Sequence, residues 1–542
     1  MNFVKSIRFN AISWKDKAKK NKIGVDLNKL VQFEKLPDLS NKKVGLVIPP
    51  SPFLLDERVF VSLGILKVAA SLEAQKVDVG VLDLSGVSNY LEALKTYLYN
   101  ANIDWIGITT TTPQLPAAVK IAKIIRDLAP NLRLVLGGPH VTLTYSALKI
   151  EESLGVKNGR AKKAANLLES YFDILVSGDG EIVVFELFKE NCPKVLDADN
   201  HKGAYFMSDE DYEATPMPAR HLVDLPSYKY SIESFNATSL IAQLGCPFHC
   251  GFCGGRNSKS LRLIRKRSED SIIREIRFLY ETYGYTGFMF YDDELNVSKT
   301  FVKLLNDLHD LQVELKTEFR LRGFIKAELF NEEQAEAMYR AGFRWILSGF
   351  EAANERILQN IDKMATLDDN TRVVELAHKH KLKVKALMSV GHPGETRESI
   401  LNIKDWLIKM QVDDFDCTVI TTYPGTPYYD LAVPNEHESG VWTYTHKKTG
   451  DRLHAYELDH TETADYYKGD PDGGYTAYVF TDHLTAKEIV ALRNFVESEV
   501  REKLNIPFNP GNVSIRYEHS MGQGLPDLIY RESCSVESNA QI

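Results

Sequence analysis

The sequence predicts an α/β protein built as two successive units, on three observations. Short apolar strand patterns alternate with helical ones from residue 43 to 205; the same alternation resumes from 233 to 430; and a stretch holding Pro216, Pro218 and Pro226 lies between them. At 542 residues the chain exceeds what one hydrophobic core holds. Hydrophobic residues make up 44% and charged residues 26%, so a sizeable core can be buried. The predicted organisation is an arm at 1–42, a first domain at 43–205, a linker at 206–232, a second domain at 233–430 and a small carboxyl-terminal subdomain at 431–542.

In the first domain, Lys43–Ile48, Val77–Leu84, Trp105–Thr109, Leu132–Leu136 and Asp173–Val176 read as strands, with helices at Ser62–Gln75, Leu115–Leu128 and Ile182–Lys189. This rhythm predicts a doubly wound, Rossmann-like parallel sheet whose ligand settles beyond the carboxyl ends of the strands. Those ends carry Ser51, then Thr109, Thr110 and Thr111, then Gly137, Gly138 and His140, then Gly178, Gly180 and Glu181. Small residues let a bulky ligand approach the backbone, although plain turn chemistry uses the same residue types. No G-x-G-x-x-G follows the first strand, which argues against a dinucleotide.

In the second domain, strands are predicted at Ser239–Gln243, Gly287–Tyr291, Glu318–Arg322, Trp345–Ser348, Val384–Val390 and Asp416–Thr421, with a helix after each of the first five. Directly behind the first lies Cys246-Pro247-Phe248-His249-Cys250-Gly251-Phe252-Cys253. Three thiolates in one short loop hold three corners of an inorganic centre and leave the fourth open. A closed zinc site wants four protein ligands, and no second Cys or Cys-x-x-His pair lies nearby. A disulfide reading leaves one cysteine over. A [4Fe-4S] cluster with one open iron fits the count best.

The pattern C-x-x-x-C-x-aromatic-C after a first strand resembles the radical S-adenosylmethionine (SAM) superfamily. The resemblance implies that Cys246, Cys250 and Cys253 ligate the cluster, that SAM chelates the open iron, and that Phe252 lies by the adenine. It also implies a partial (β/α)6, TIM-like barrel with its site at the strands' carboxyl ends. Asp292 and Asp293, in FYDDEL, are then candidates for the SAM ammonium, with a helix N-terminal acidic cluster as the alternative. Arg322 shares a strand face with Arg320 and, if that face is the barrel interior, can pair with a carboxylate of SAM or substrate. Glu351, in Ser348-Gly349-Phe350-Glu351, is the candidate for the ribose hydroxyls. The turns Gly391–Thr396 and Tyr423–Pro427 resemble closing motifs of the superfamily and are assigned to the fold.

Upstream, SLGILKVAASLE, GITTTTPQ, LGGPH and SGDGE together resemble the cobalamin-binding domain joined to many radical SAM enzymes, over about residues 43–205. This implies cobalamin at the strand-end residues named above, with His140 either in that pocket or an ordinary loop histidine. Many such domains place Asp-x-His-x-x-Gly after the first strand, where this chain has Pro50 to Arg58 without a histidine. Asp199-Asn200-His201-Lys202-Gly203 is one residue short of the pattern, so cobalt is predicted to lack a histidine ligand. Thr215–Arg220 (TPMPAR) resembles the bridge between the two domains in such enzymes.

A net charge of -9 gives no sign of a nucleic-acid or anionic-membrane surface, and RLIRKR at 262–267 is read as a solvated face beside the cluster. Cys192, Cys417 and Cys534 are scattered, no secretory segment is visible, and no apolar run approaches membrane-spanning length, so a cytoplasmic protein is expected. Cys417 is read as a small buried hydrophobe, with an inward-facing thiol as the alternative. Residues 431–542 crowd aromatics, His and Asp into expected loops, with a helix at Leu484–Leu504; a substrate-facing cap and a ligand-free docking subdomain are both open readings.

The function implied is a cobalamin-dependent radical SAM enzyme that methylates an unactivated carbon of a small-molecule or natural-product substrate. The route is a 5'-deoxyadenosyl radical and methylcobalamin, with an electron donor such as flavodoxin or ferredoxin. An oxidative cyclase or rearrangement enzyme with the same cofactors is the first alternative. A cobalamin- or metal-binding sensor without turnover is the second.

Overall fold

Six short strands of the first domain form one wholly parallel sheet in the computed structural model, which describes residues 38–54, 57–157, 159–467 and 476–507. They are β1 (Lys43–Ile48), β2 (Asp78–Asp83), β3 (Trp105–Thr109), β4 (Arg133–Gly137), β5 (Ile174–Ser177) and β6 (Val195–Asp197), in the order β2-β1-β3-β4-β5-β6. The chain steps outward from β1 to β2 and then back to β3, so the loops after β1 and β3 diverge and open a crevice between them. The strands are apolar on both faces because helices cover both: Leu63–Ala74 packs on one side, Leu115–Leu128 and Pro139–Ser153 on the other. The sixth strand escaped the sequence reading because three residues carry no periodicity. The helix expected at Ile182–Lys189 forms as one α-turn, Gly180–Val183, followed by a 3-10 segment, Val184–Phe188. Most of the predicted arm and the end of the chain lie outside the described residues.

The second sheet curls into a half-barrel. It comprises β7 (Tyr230–Ile232), β8 (Phe235–Leu240), β11 (Gly287–Phe290), β12 (Arg320–Phe324), β13 (Phe343–Glu351), β14 (Lys383–Val390) and β15 (Asp414–Val419), in the order β15-β14-β13-β12-β11-β8-β7. Between β8 and β11, the short strands β9 (Gln243–Leu244) and β10 (Arg265–Lys266) pair antiparallel and bracket the cysteine loop. The six strands from β8 to β15 are parallel, matching the six expected, and β7 adds an antiparallel hairpin from inside the predicted linker. Its two-residue turn puts Glu233 and Ser234 at positive φ, as the twist of a tight hairpin requires.

A half-barrel leaves a raw edge at β15, and the helix Ala486–Leu504 covers it. Arg493 Nε donates to the Cys417 carbonyl at 2.6 Å, the Cys417 amide donates to Glu497 Oε1 at 3.1 Å, and Arg501 donates to the Phe415 carbonyl at 2.9 Å. Charged side chains thus stand where the next strand's backbone would pair. Along β15, Asp414 and Asp416 face inward to Lys385, so Cys417 faces this helix layer and its thiol is not directed into the barrel.

The carboxyl-terminal segment is a second correction. WTYTH and RLHAY are strands, not loops: β16 (Val433–Pro434), β17 (Val441–Thr445), β18 (Arg452–Tyr456) and β19 (Val479–Thr481) form an antiparallel sheet. Among the described residues no helix is long and apolar enough to cross a membrane.

Candidate functional site

The cysteine loop is held from three sides. The Cys246 amide donates to the Leu261 carbonyl at 3.0 Å, and the Gly251 amide donates to the Ile361 carbonyl at 2.6 Å. A Cβ at Gly251 would enter the Tyr428 ring, so the second cysteine is followed by glycine because the loop is pressed onto that ring. Arg262 donates to the Pro247 carbonyl at 2.8 Å, and Arg256 to the Phe248 carbonyl and the His249 ring at 2.5 Å each. His249 is thereby engaged by arginines. Among the described residues, no set of three Cys, His, Asp or Glu side chains converges closely enough to hold a single metal ion.

The basic run RLIRKR is not a solvated face. Arg262 grips loop carbonyls, and Arg265 and Arg267 are buried, at 3% and 7% exposure, against acidic partners. Arg265 pairs with Asp179, from the SGDGE loop of the first domain. Asp199, also from the first domain, accepts from Ser258 Oγ at 2.6 Å, Ser260 N at 2.8 Å and Ser260 Oγ at 2.8 Å. These two carboxylates bind the hairpin that carries the cysteines to the strand ends of the parallel sheet. Arg267 and Arg220 converge on Glu275, whose side chain is 1% exposed. Burial alone would raise that carboxyl, but the two guanidiniums hold it down at about 2. Arg220 belongs to TPMPAR, whose Ala219 amide donates to the Leu66 carbonyl of the first domain at 3.0 Å.

Around the loop stand Phe252, Glu351 and His392. Glu351 has φ of +64°, a strained value for a glutamate, at an irregularity in the β13–β14 pairing. There its carboxylate folds back over Gly349, where a Cβ would strike it. Its two oxygens accept from Lys363 Nζ at 3.2 Å and Ser389 Oγ at 2.7 Å. Ser389 Oγ also meets His392 Nε2 at 2.8 Å, and the His392 ring meets Phe252 edge-on at 5.4 Å. Burial pushes the His392 ring down to about 3, so it stays neutral.

Two buried cations next to the loop were missed by the sequence reading. Burial works against the charge of Lys363, but Glu351 overrules it and pushes that ammonium up. Lys326 Nζ lies 4.5 Å from the centre of the Phe248 ring and donates to the Lys363 carbonyl at 2.8 Å. Neither lysine sits in a recognisable motif; Lys326 follows a predicted strand, and Lys363 follows the helix Glu355–Ile361, which the sequence reading did not assign.

Asp292 differs from its expected role. Its oxygens accept from the Ala242 amide at 3.1 Å and the Gln243 amide at 2.6 Å, so it ties β11 to the strand entering the cysteine loop. Burial pushes its carboxyl up to about 7 despite those donors. Asp293 is the exposed member of the pair. Arg322 does face the barrel interior, but lower down, with its guanidinium 5.5 Å from the Trp345 ring.

At the crevice of the first domain, Gln114 gathers two predicted strand ends. Its Nε2 donates to Ser51 Oγ at 2.9 Å and its Oε1 accepts the Thr111 amide at 3.1 Å. Thr109, Thr111 and Gly137 keep accessible surface there. Gly138, Gly178 and Gly180 keep accessible surface as well, and each also packs closely on the protein's own atoms. A Cβ on Gly138 would stand 2.7 Å from the Thr110 amide nitrogen, and one on Gly178 would stand 2.5 Å from the Ala198 carbonyl carbon. Gly180 packs on Val68, and Thr110 donates to the Thr111 carbonyl at 2.8 Å. Glu181 is buried, and burial with neighbouring Asp179 pushes its carboxyl up to about 7. His140 lies in the first turn of a helix rather than a loop, with Nδ1 3.0 Å from Thr112 Oγ1 and its ring 6.0 Å from that of His460. His460 arrives from the carboxyl-terminal segment, so that segment reaches the crevice, while its antiparallel sheet docks on the barrel: Arg356 pairs with Asp451 at 2.6 Å, and Thr481 Oγ1 donates to the Glu395 carbonyl at 2.9 Å.

A doubly wound sheet bound through its strand ends to a cysteine-bearing half-barrel defines a class, and the family comparisons agree. Residues 57–168 match the B12 binding domain and residues 240–407 the radical SAM superfamily. The chain therefore carries a B12-binding domain followed by a radical SAM domain. It is 27% identical over 412 residues to an uncharacterized methyltransferase of Pyrococcus horikoshii, covering 72% of this chain and 83% of that protein. It is 23% identical over 380 residues to the anaerobic magnesium-protoporphyrin IX monomethyl ester cyclase of Cereibacter sphaeroides, covering 65% of this chain and 58% of that one. The solved structure of the radical SAM methyltransferase TsrM from Kitasatospora setae, with cobalamin and a [4Fe-4S] cluster bound, shares the fold. Its TM-score is 0.61 at 17% identity, over 85% of this chain and 89% of that one.

Proposed function

We propose that this enzyme transfers a methyl group to an unactivated carbon of a small molecule. The observation that supports the reading is the seam: Asp179 and Asp199 fasten the cysteine hairpin to the strand ends of the first domain, an arrangement that favours one space shared by both cofactors. When bound, the cluster supplies the electron that cleaves SAM and the cobalamin supplies a methyl carrier.

The chain's own residues then have distinct tasks. Cys246, Cys250 and Cys253 would hold the cluster, and Lys326 and Lys363, buried beside the loop, would offset its negative charge. Phe252, backed by the neutral His392 ring, offers an apolar face to the adenine. Glu351, held by Lys363 and Ser389, would accept from the ribose hydroxyls, and Asp293 rather than Asp292 would meet the SAM ammonium. Thr109, Thr111 and Gly137 would face cobalamin. The loop after β1 has no histidine, and His140 and His460 are turned toward each other.

Two measurements test this. Anaerobic turnover with isotopically labelled methyl SAM should give product heavier by one labelled methyl; unlabelled product lighter by hydrogens would replace methyl transfer by cyclisation, the second reading, which the cyclase relative supports. Electron paramagnetic resonance of the Co(II) form should show no nitrogen superhyperfine splitting from the protein. Splitting that disappears in His140→Ala would overturn the histidine-free assignment.

A further inference from the structure

The half-barrel is closed at its floor and hollow at its mouth. On the inward face, Met289, Leu347 and Tyr230 are buried at 0%, 0% and 2% exposure and pack together. One step nearer the carboxyl ends, Phe324, Leu387 and Thr418 are partly exposed and Tyr291 is 40% exposed. Their outward-facing neighbours are not: Phe290 is 0% exposed, Met388 2% and Cys417 0%. Arg320, Trp345 and Asp414, at the amino-terminal end of the barrel, are partly exposed as well, but the buried Met289 and Leu347 lie between them and the mouth, and inward side chains exposed beside buried outward ones there mark an unfilled space.

Aromatic rings from separate parts of the chain wall that space. Tyr291 meets Phe324 edge-on at 6.5 Å, and Phe60, from the loop after β1, lies 5.4 Å from Tyr291 at 36°. Phe53, on the same loop, meets Tyr467 of the carboxyl-terminal segment at 5.1 Å and 80°. A space made for an aliphatic chain would need only Leu, Ile and Val. Rings set at such angles present both faces and edges, the two contacts that a flat π system uses, and the Tyr291 and Tyr467 hydroxyls add polar handles.

We infer that the mouth of the half-barrel receives a planar aromatic or heteroaromatic ring system of the substrate, with Tyr291 as its main platform. This rests on the methyl-transfer reading for what happens next, but not for the binding itself.

The test uses the holoprotein, reconstituted anaerobically, with 2-naphthol and its saturated counterpart decahydro-2-naphthol as probes in calorimetric titrations. Naphthol should bind one to one and at least about tenfold more tightly than the saturated alcohol. Tyr291→Ala should weaken naphthol about tenfold, Tyr291→Phe should retain it, and Leu387→Trp should block it while iron and cobalamin contents stay at wild-type levels. Equal affinity for the two alcohols would overturn the inference. So would a Tyr291→Ala variant that shifts the corrin absorbance and leaves naphthol affinity unchanged, since the rings would then belong to the cobalamin site. Methyl transfer is read separately by label, so a cyclase that still prefers naphthol supports the inference.

Discussion

Alanine at any one of Cys246, Cys250 or Cys253 should remove the brown iron-sulfur chromophore and lower 5'-deoxyadenosine formation by ~10³-fold or more, since the group that carries the chemistry is lost. Among the described residues the thiols have no substitutes nearby. His249, the ring between the first two, is engaged by Arg256 and Arg262 and is not available as a replacement ligand. Cys417 faces the opposite side of its strand, toward the helix Ala486–Leu504. Cys417→Ala should therefore leave iron content and the chromophore at wild-type levels, which makes it the control. Iron analysis and absorbance of anaerobically purified protein check both outcomes. Zinc in the wild-type protein, or a chromophore that survives all three single substitutions, would remove the basis for SAM cleavage.

Glu275→Gln should destabilise the protein by ~3–5 kcal/mol, the scale for breaking a buried ion pair and stranding its partner. Here two guanidiniums would be stranded, since Arg220 and Arg267 both pair with this carboxylate inside the protein. Against a typical total stability of ~5–15 kcal/mol, that is a large share. The sign of the pH dependence follows from the depressed carboxyl, at about 2 in the folded protein against an ordinary 4.5. The ion pairs contribute fully above the ordinary value and are lost as pH falls through it toward about 2, a contribution of ~3 kcal/mol at neutral pH. Urea denaturation at pH 7 should show the loss, and wild type and variant should converge as pH falls below 4.5. Glu281→Gln, which removes one partner of an exposed pair with Arg277, should change stability by less than ~1 kcal/mol. Because Arg220 lies on the bridge between domains, the loss should also loosen the first domain from the barrel.

Much of the fold was legible because it is local. Lys43–Ile48 and Trp105–Thr109 form over the very spans their apolar runs suggested, and the helices expected at about 268–283 and 396–411 form as Glu269–Tyr283 and Arg397–Met410, while the one expected at about 299–311 runs on to Leu315. Charge read without partners misled: RLIRKR looked solvated because a run of cations does not disclose that Asp179 and Glu275 await it in the core. Aromatic density misled likewise in Val441–Thr445 and Arg452–Tyr456, where the alternation of a strand was present but masked by loop-like neighbours.

The sequence by itself determined the class of chemistry, since three cysteines within one turn of loop and the strand-helix rhythm around them are encoded by neighbours along the chain. Only the tertiary structure decided which carboxylates and cations serve the site. Asp292 turned to backbone amides, Lys326 and Lys363 moved beside the cysteines, and aromatic rings from Phe53 to Tyr467 came to wall one space. Those contacts join residues far apart in the chain, and burial there sets whether a charge is paired or a ring is covered. No short window of sequence carries that information.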